Sequence, residues 1–208
     1  MRIDSLTTRP DRAGRYTVRF DNDTVMRLYR QTVEDFGLYS GMELTAEELQ
    51  KLRNAAGAMS AKMRAVRIVA ASSISKDDLE QRLIHKGEDP QQAKEAVQWM
   101  EQLSLVDDRK TAEQIVSRCV SKGYGLSRAK QALYEKRIPK EIWVEALADY
   151  PDQSDAILSF LQTRINHVDH PKELRKAIDA LIRRGHSYAQ IRQCIESLSI
   201  DSEDLPEE

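Results

Sequence analysis

The sequence is poor in the residues that build covalent frameworks and chemical centres. It has two cysteines, Cys119 and Cys194, too few for a disulfide framework or a thiolate zinc site. Each falls within an apolar helical stripe and reads as a small buried hydrophobe. His167 and His170 stand close together but lack a third ligand nearby, so no metal is expected. No run of 18 apolar residues is present to span a bilayer. The opening MRIDSLTTRP lacks the apolar stretch of a signal peptide, and the expected location is the cytoplasm, with no membrane partner. There is no Gly-Lys-Ser/Thr phosphate loop and no glycine-rich dinucleotide fingerprint. The paired acids Asp77-Asp78 and Asp107-Asp108 stand at expected helix starts, where capping accounts for them. With no catalytic constellation and no cofactor motif, an enzyme ranks last among the function classes.

What the sequence does contain is one pattern stated three times, in residues 79–97, 129–147 and 177–195. Leu79, Ala129 and Ala177 correspond, as do Leu83, Leu133 and Leu181. The cations Lys86, Lys136 and Arg184 then close one helix, and Ala93, Trp143 and Ile191 open the apolar stripe of the next. A fixed period of this size indicates stacked copies of one helical unit, each needing a neighbour to finish burying its apolar face. The fold expected is mainly α: an elongated tandem array of three three-helix repeats behind a small N-terminal cap containing a β-hairpin. The function of such an array lies on a surface more readily than in one pocket.

Residues 1–44 form the cap. RYTVRF (15–20) alternates as a half-buried strand does, DND (21–23) signals a turn, and TVMRLY (24–29) completes a hairpin, with a third strand near Ile3–Thr7. Gly37 suits the end of a short helix. The linking helix and first repeat occupy 45–108, starting at the Thr45/Glu48 capping box. Leu49, Leu52, Ala56, Met59, Met63, Val66 and Ala70 make a single stripe running through Gly57, the likeliest kink. Further helices are expected at 76–86 after Ser75 and at 90–102 after Asp89, with Pro90 in the first helical position. Repeat two (109–150) divides into 109–121, 127–136 and 140–149, and repeat three (151–200) into 153–166, 171–184 and 188–198. The acidic tail, 201–208, is expected to be disordered.

LSLVDDRKTAEQIVSR (103–118) and KGYGLSRAKQALYEKRIP (122–139) resemble the RecX family of bacterial recombination regulators: a leucine-rich stretch ending in two acids, a helix, then a Gly-Tyr-Gly turn. SKDDLEQRLIHKG (75–87) and LIRRGHSYAQIRQCI (181–195) are similar to the family's first-repeat helix and closing segment. The resemblance covers roughly residues 60–198. The sequence departs from the family pattern at Thr111, where an aromatic is usual, at Arg137, where Gly commonly ends the helix, and at Ala71 and Ser72, where Arg is frequent. The resemblance implies a protein without chemistry of its own; a monomer is expected, with free DNA at most a weak partner. It implies binding to the RecA filament on single-stranded DNA, along its groove, and inhibition of strand exchange, ATP hydrolysis and coprotease activity.

Charge points to a contact surface. Residues 109–140 carry nine lysines and arginines against two acids, a net +7, whereas residues 141–208 carry seven against fourteen, a net −7. A block of one sign attracts phosphate or an acidic protein surface. Its core is Arg109, Lys110, Arg118, Lys122, Arg128 and Lys130. The spacing leaves Arg118 and Lys122 outside the apolar face of Ile115, Val116, Cys119 and Val120. Leu126, Ala129, Ala132 and Leu133 are expected to face inward, and Arg128, Gln131 and Glu135 to share an outer face. Tyr124 either stacks on a base or a partner side chain, or packs the helical hairpin. Arg64 and Arg67, and Arg183 and Arg184, are candidates to extend the stripe; Lys86 and Lys136 are better explained as cations at helix C-termini. The alternatives are a DNA-binding module of tandem three-helix units acting without RecA, and a helical scaffold for another protein.

Overall fold

Alternating burial makes the first element a sheet. In the computed structural model, which describes residues 1–164 and 171–198, β1 (Ile3–Leu6), β2 (Arg15–Phe20) and β3 (Val25–Tyr29) form an antiparallel sheet in that order. Val18 pairs with Met26 and Tyr16 with Leu28, and a bulge interrupts the β1–β2 register between Ile3 and Ser5. Ile3, Val18, Phe20 and Leu28 are buried against Leu38, Leu44, Leu49 and Leu52. The short helix α1 (Arg30–Asp35) leads to Gly37 at φ +55°.

α2 (Ala46–Ala71) starts at the expected capping box: the Thr45 hydroxyl accepts from the Glu48 amide, and the Glu48 carboxylate accepts from the Thr45 amide. The helix runs unbroken through Gly57. A Cβ there would meet only the terminal amide of the Gln92 side chain, at 2.3 Å, which can swing aside. The expected single stripe is corrected. Leu49 and Leu52 pack on the sheet, whereas Ala61 and Ala65 pack into the next cluster; Ala70 is exposed and Met59 and Met63 are half-buried. Leu52 and Ala61 lie nine residues apart, roughly two and a half turns, which puts them on opposite sides of the helix. One helix therefore serves two cores.

Three helical clusters follow. α3 (Lys76–His85) and α4 (Pro90–Gln102) join the end of α2 around Leu79, Leu83, Ala93, Val97 and Met100. Ser75 caps α3 by accepting from the Asp78 amide, and Asp89 caps α4 from Gln91 and Gln92, with Pro90 at the first position. α5 (Asp108–Ser121), α6 (Leu126–Glu135) and α7 (Lys140–Ala146) enclose a thinner core of Ala112, Val116, Leu133 and Ile138. α7 stops three residues short of expectation. α8 (Ser154–Arg164), α9 (Pro171–Arg183) and α10 (Tyr188–Ser197) bury Ile157, Leu161, Ile178, Leu181, Ile191 and Ile195. Each fully buried leucine or isoleucine contributes about 1.5–3 kcal/mol. The chain divides into two compact units, Met1–Val106 and the described residues from Asp107 onward.

His167, His170 and the tail 201–208 lie outside the described residues. Among the described residues, no helix is long and apolar enough to cross a membrane, and no three His, Cys, Asp or Glu side chains gather as metal ligands. Cys119 and Cys194 are buried, and burial pushes both thiols up; Arg128, Lys122 and Arg118 oppose the shift at Cys119.

Candidate functional site

In the second unit, the helix register of α5 and α6 sets the cations outward. Val116 and Cys119 are buried and Ile115 and Val120 partly so, which leaves Arg118 and Lys122 exposed on the far side of α5. On α6, Ala129 and Leu133 are buried, Ala132 is half-buried and Lys130 is exposed. Leu126 does not face inward: it is 40% exposed, at the first turn of the helix. Arg128 and Gln131 both reach Glu135, at 3.1 and 2.9 Å, so the shared outer face holds its own counter-ion.

The other cations of the block differ in how free they are. Arg109 pairs with Glu145 of α7, and Lys110 lies 3.9 Å from the Asp107 carboxylate that caps α5. Both pairs are largely exposed and stabilise the fold little. The Lys122 ammonium stands 6.0 Å from the centre of the Tyr124 ring. Among the described residues, no carboxylate lies within ion-pair distance of Arg118, Lys122 or Lys130.

The Gly123-Tyr124-Gly125 turn holds repeat two to repeat three. The Gly125 amide donates to the Arg184 carbonyl at 3.0 Å and the Ser127 amide to Gly185 at 3.2 Å. The Tyr150 hydroxyl donates to the Tyr124 carbonyl at 2.6 Å, and burial, helped by Cys119, pushes that phenol up to about 12. His186 is buried, with Nε2 3.0 Å from the Gly123 carbonyl. Nε2 therefore carries the proton, and Nδ1 is buried without a hydrogen-bond partner. Burial holds this imidazole below its usual range; the Gly123 bond opposes the shift and Arg184 adds to it. Glycine is required on steric grounds at two places. A Cβ on Gly125 would come 2.0 Å from the Gly185 carbonyl oxygen, and one on Gly185, at φ +88°, 2.3 Å from the Arg128 amide. This latch brings the backbone of Arg184 beside the start of α6, while its guanidinium lies 4.4 Å from the centre of the Phe160 ring. Arg183 is exposed.

Arg64 and Arg67 belong to the first unit. The Arg64 guanidinium pairs with buried Glu88 at 2.7 Å and donates to the Lys86 carbonyl at 2.9 Å. Arg67 donates to the Tyr29 hydroxyl at 2.7 Å. They share the wall of a cleft with Arg15, Arg82 and Lys86.

No family model matches the chain. Curated proteins named Regulatory protein RecX do: that of Vibrio vulnificus is 28% identical over 140 residues, covering 66% of this chain and 92% of the relative. That of Streptococcus gordonii is 23% identical over 192 residues, covering 90% of this chain and 74% of the relative. A crystal structure of regulatory protein RecX superimposes with a TM-score of 0.66 at 17% identity, covering 94% of this chain and 98% of that one. A RecX structure from Lactobacillus salivarius gives 0.61 at 21% identity, covering 71% and 99%. These likenesses support the RecX family for this chain.

Its departures from the RecX pattern have local solutions. Thr111 is buried, and its hydroxyl donates to the Asp107 carbonyl one turn back, at 2.8 Å. Arg137 takes φ +54°, the same left-handed turn that Gly87 and Gly185 make in the other two repeats. Ala71 and Ser72 line the cleft of the first unit. Sequence reasoning missed His186 and Tyr150, the two side chains that latch the Gly-Tyr-Gly turn. His186 had a signal: it occupies the repeat position of Glu88 and Ile138, and all three are buried. Arg15 and Arg82 were missed because their partners in the cleft come from distant elements.

Proposed function

We propose that this RecX-family chain is a regulator that binds the RecA filament on single-stranded DNA and inhibits RecA recombinase, ATPase and coprotease activities. Its likeness to curated proteins named as regulatory supports the role. The observation that carries the placement of the contact is the set of exposed cations on α5 and α6, Arg118, Lys122 and Lys130, which no nearby carboxylate neutralises among the described residues. An unneutralised cationic face steers an anionic partner and sets the register of docking. Arg109, Lys110 and Arg128, each with an acid at hand, flank that face, and exchanging one carboxylate for another costs them little. Arg183 and Arg184 extend it into repeat three, and Tyr124 closes it beside Lys122.

The direct test is RecA-catalysed ATP hydrolysis and strand exchange on single-stranded DNA with purified protein added in increasing amount. Both rates are expected to fall as the protein approaches RecA in concentration. Rates unchanged at excess protein contradict the reading. A second reading, DNA binding without RecA, is favoured by the net +7 of residues 109–140. Tight, steeply salt-dependent binding to free DNA together with unaltered RecA activity selects it.

A further inference from the structure

The first unit has a cleft of about 520 Å³ whose wall carries five cations, Arg15 from the sheet, Arg64 and Arg67 from α2, and Arg82 and Lys86 from α3 and its C-cap, and no carboxylate. Like charges converge on one cavity only where something holds them. Here three of the four arginines are tied by acids outside the wall. Arg15 is held by Asp11 through Nε and Nη2 at 3.0 and 2.9 Å, Arg82 by Asp78 at 3.2 and 3.0 Å, and Arg64 by Glu88 at 2.7 Å. The Glu88 carboxylate is itself buried and accepts from Ser60 at 3.0 Å. Arg67 leans on a neutral group, the Tyr29 hydroxyl, at 2.7 Å. Among the described residues, Lys86 has no carboxylate within ion-pair distance. Three of the five charges are thus balanced at the back and two, Arg67 and Lys86, are not.

We propose that this cleft is a phosphate-binding site, and that the N-terminal sheet exists in part to complete it. A planar guanidinium matches a phosphate oxyanion with two parallel donors, and an ammonium adds an undirected charge. Fixing the arginines beforehand lowers the ordering cost of binding. The volume suits a nucleotide-sized ligand, and the two unbalanced cations match two phosphodiester charges or one phosphate monoester dianion. Tyr29 is 8% exposed and offers little face for a base to stack on. The site therefore reads phosphate rather than sequence. The shared chemistry admits two sources, a nucleic-acid backbone and a free phosphate. The proposal is independent of the RecA reading, because it is tested on the protein alone.

The experiment measures binding of the full chain to a fluorescently labelled oligothymidylate by anisotropy, and to pyrophosphate by calorimetry, for wild type, Lys86→Gln and Arg67→Gln/Lys86→Gln. Lys86→Gln leaves the fold intact because no side-chain partner is lost, and circular dichroism checks the double variant. For a backbone ligand, oligothymidylate affinity falls about threefold in the single and about tenfold in the double variant, and the logarithmic salt slope drops by about 0.7 per contact removed. For a free phosphate, pyrophosphate affinity falls in the same order while oligothymidylate binding is unchanged. Either result supports the site. Affinities for both ligands unaltered by Lys86→Gln and by the double variant overturn it.

Discussion

The turn after the middle helix of the first repeat and its counterpart in the third share a backbone but not a purpose. Gly87 and Gly185 adopt φ +87° and +88°, and the residue that follows, Glu88 or His186, is buried in each. Glu88 is a charged group matched by the Arg64 guanidinium, and it helps to array the cations of a cleft. His186 is a neutral ring bonded to a backbone carbonyl, and it fastens one repeat to the next. In the middle copy the same place holds Ile138, with no polar duty. The repeat supplies a buried position after a left-handed turn; the side chain placed there decides whether it builds a site or a joint.

Replacing the two glycines separates the shared backbone from the unshared surroundings. Gly87→Ala meets open space and costs only its left-handed φ, about 1–2 kcal/mol. Gly185→Ala meets the Arg128 amide at 2.3 Å as well, and is expected to destabilise the second unit by about 3 kcal/mol or more. Urea denaturation followed by circular dichroism reads both, and equal losses would remove the steric half of the comparison.

Glu88→Gln tests the charged turn. It keeps an acceptor for Ser60 but removes the counter-charge of Arg64, which is about one-third exposed, so a loss of about 1–2 kcal/mol is expected. A stability unchanged in the same urea titration shows that water, not Glu88, satisfies Arg64.

The smallest effect is pH dependence at the neutral turn. The folded state holds His186 below its ordinary value of 6.5, so as pH falls through that value the unfolded chain takes up the proton first. Stability contributed by His186 is therefore complete above about pH 6.5 and declines until the folded ring itself titrates. The urea midpoint should drop between pH 7.5 and 5.5 in wild type and drop less in His186→Gln. Equal slopes indicate that the ring is not desolvated.

Much of the fold was legible because its signals are local. Ser75, Asp89 and the Thr45/Glu48 pair announce helix starts through hydrogen bonds spanning two or three residues, and the strand alternation in 15–20 needs only a neighbouring core. What escaped depends on distant partners. The face switch along α2 follows from two cores lying on opposite sides of one helix, which a single stripe from Leu49 to Ala70 does not encode. Leu126 fits the apolar spacing of α6 yet lies at its first turn, beyond the core that Leu133 reaches. Of the candidate contact residues, the outward direction of Arg118 and Lys122 was readable from the register of α5. The Glu135 partner of Arg128 lies on the same helix face and was readable too, whereas the Glu145 partner of Arg109, and the latch through His186 and Tyr150, required the packing of separate helices.

The central claim is that the exposed cations of α5 and α6 are where this RecX-like chain engages its target. The most direct measurement is inhibition of RecA ATP hydrolysis on single-stranded DNA by Arg118→Glu/Lys122→Glu/Arg128→Glu beside wild type, with helical content monitored by circular dichroism. The account predicts an unchanged spectrum and at least about a tenfold higher concentration for half-inhibition, equivalent to about 1.4 kcal/mol of lost binding. Inhibition at the wild-type concentration, with the fold intact, would contradict it.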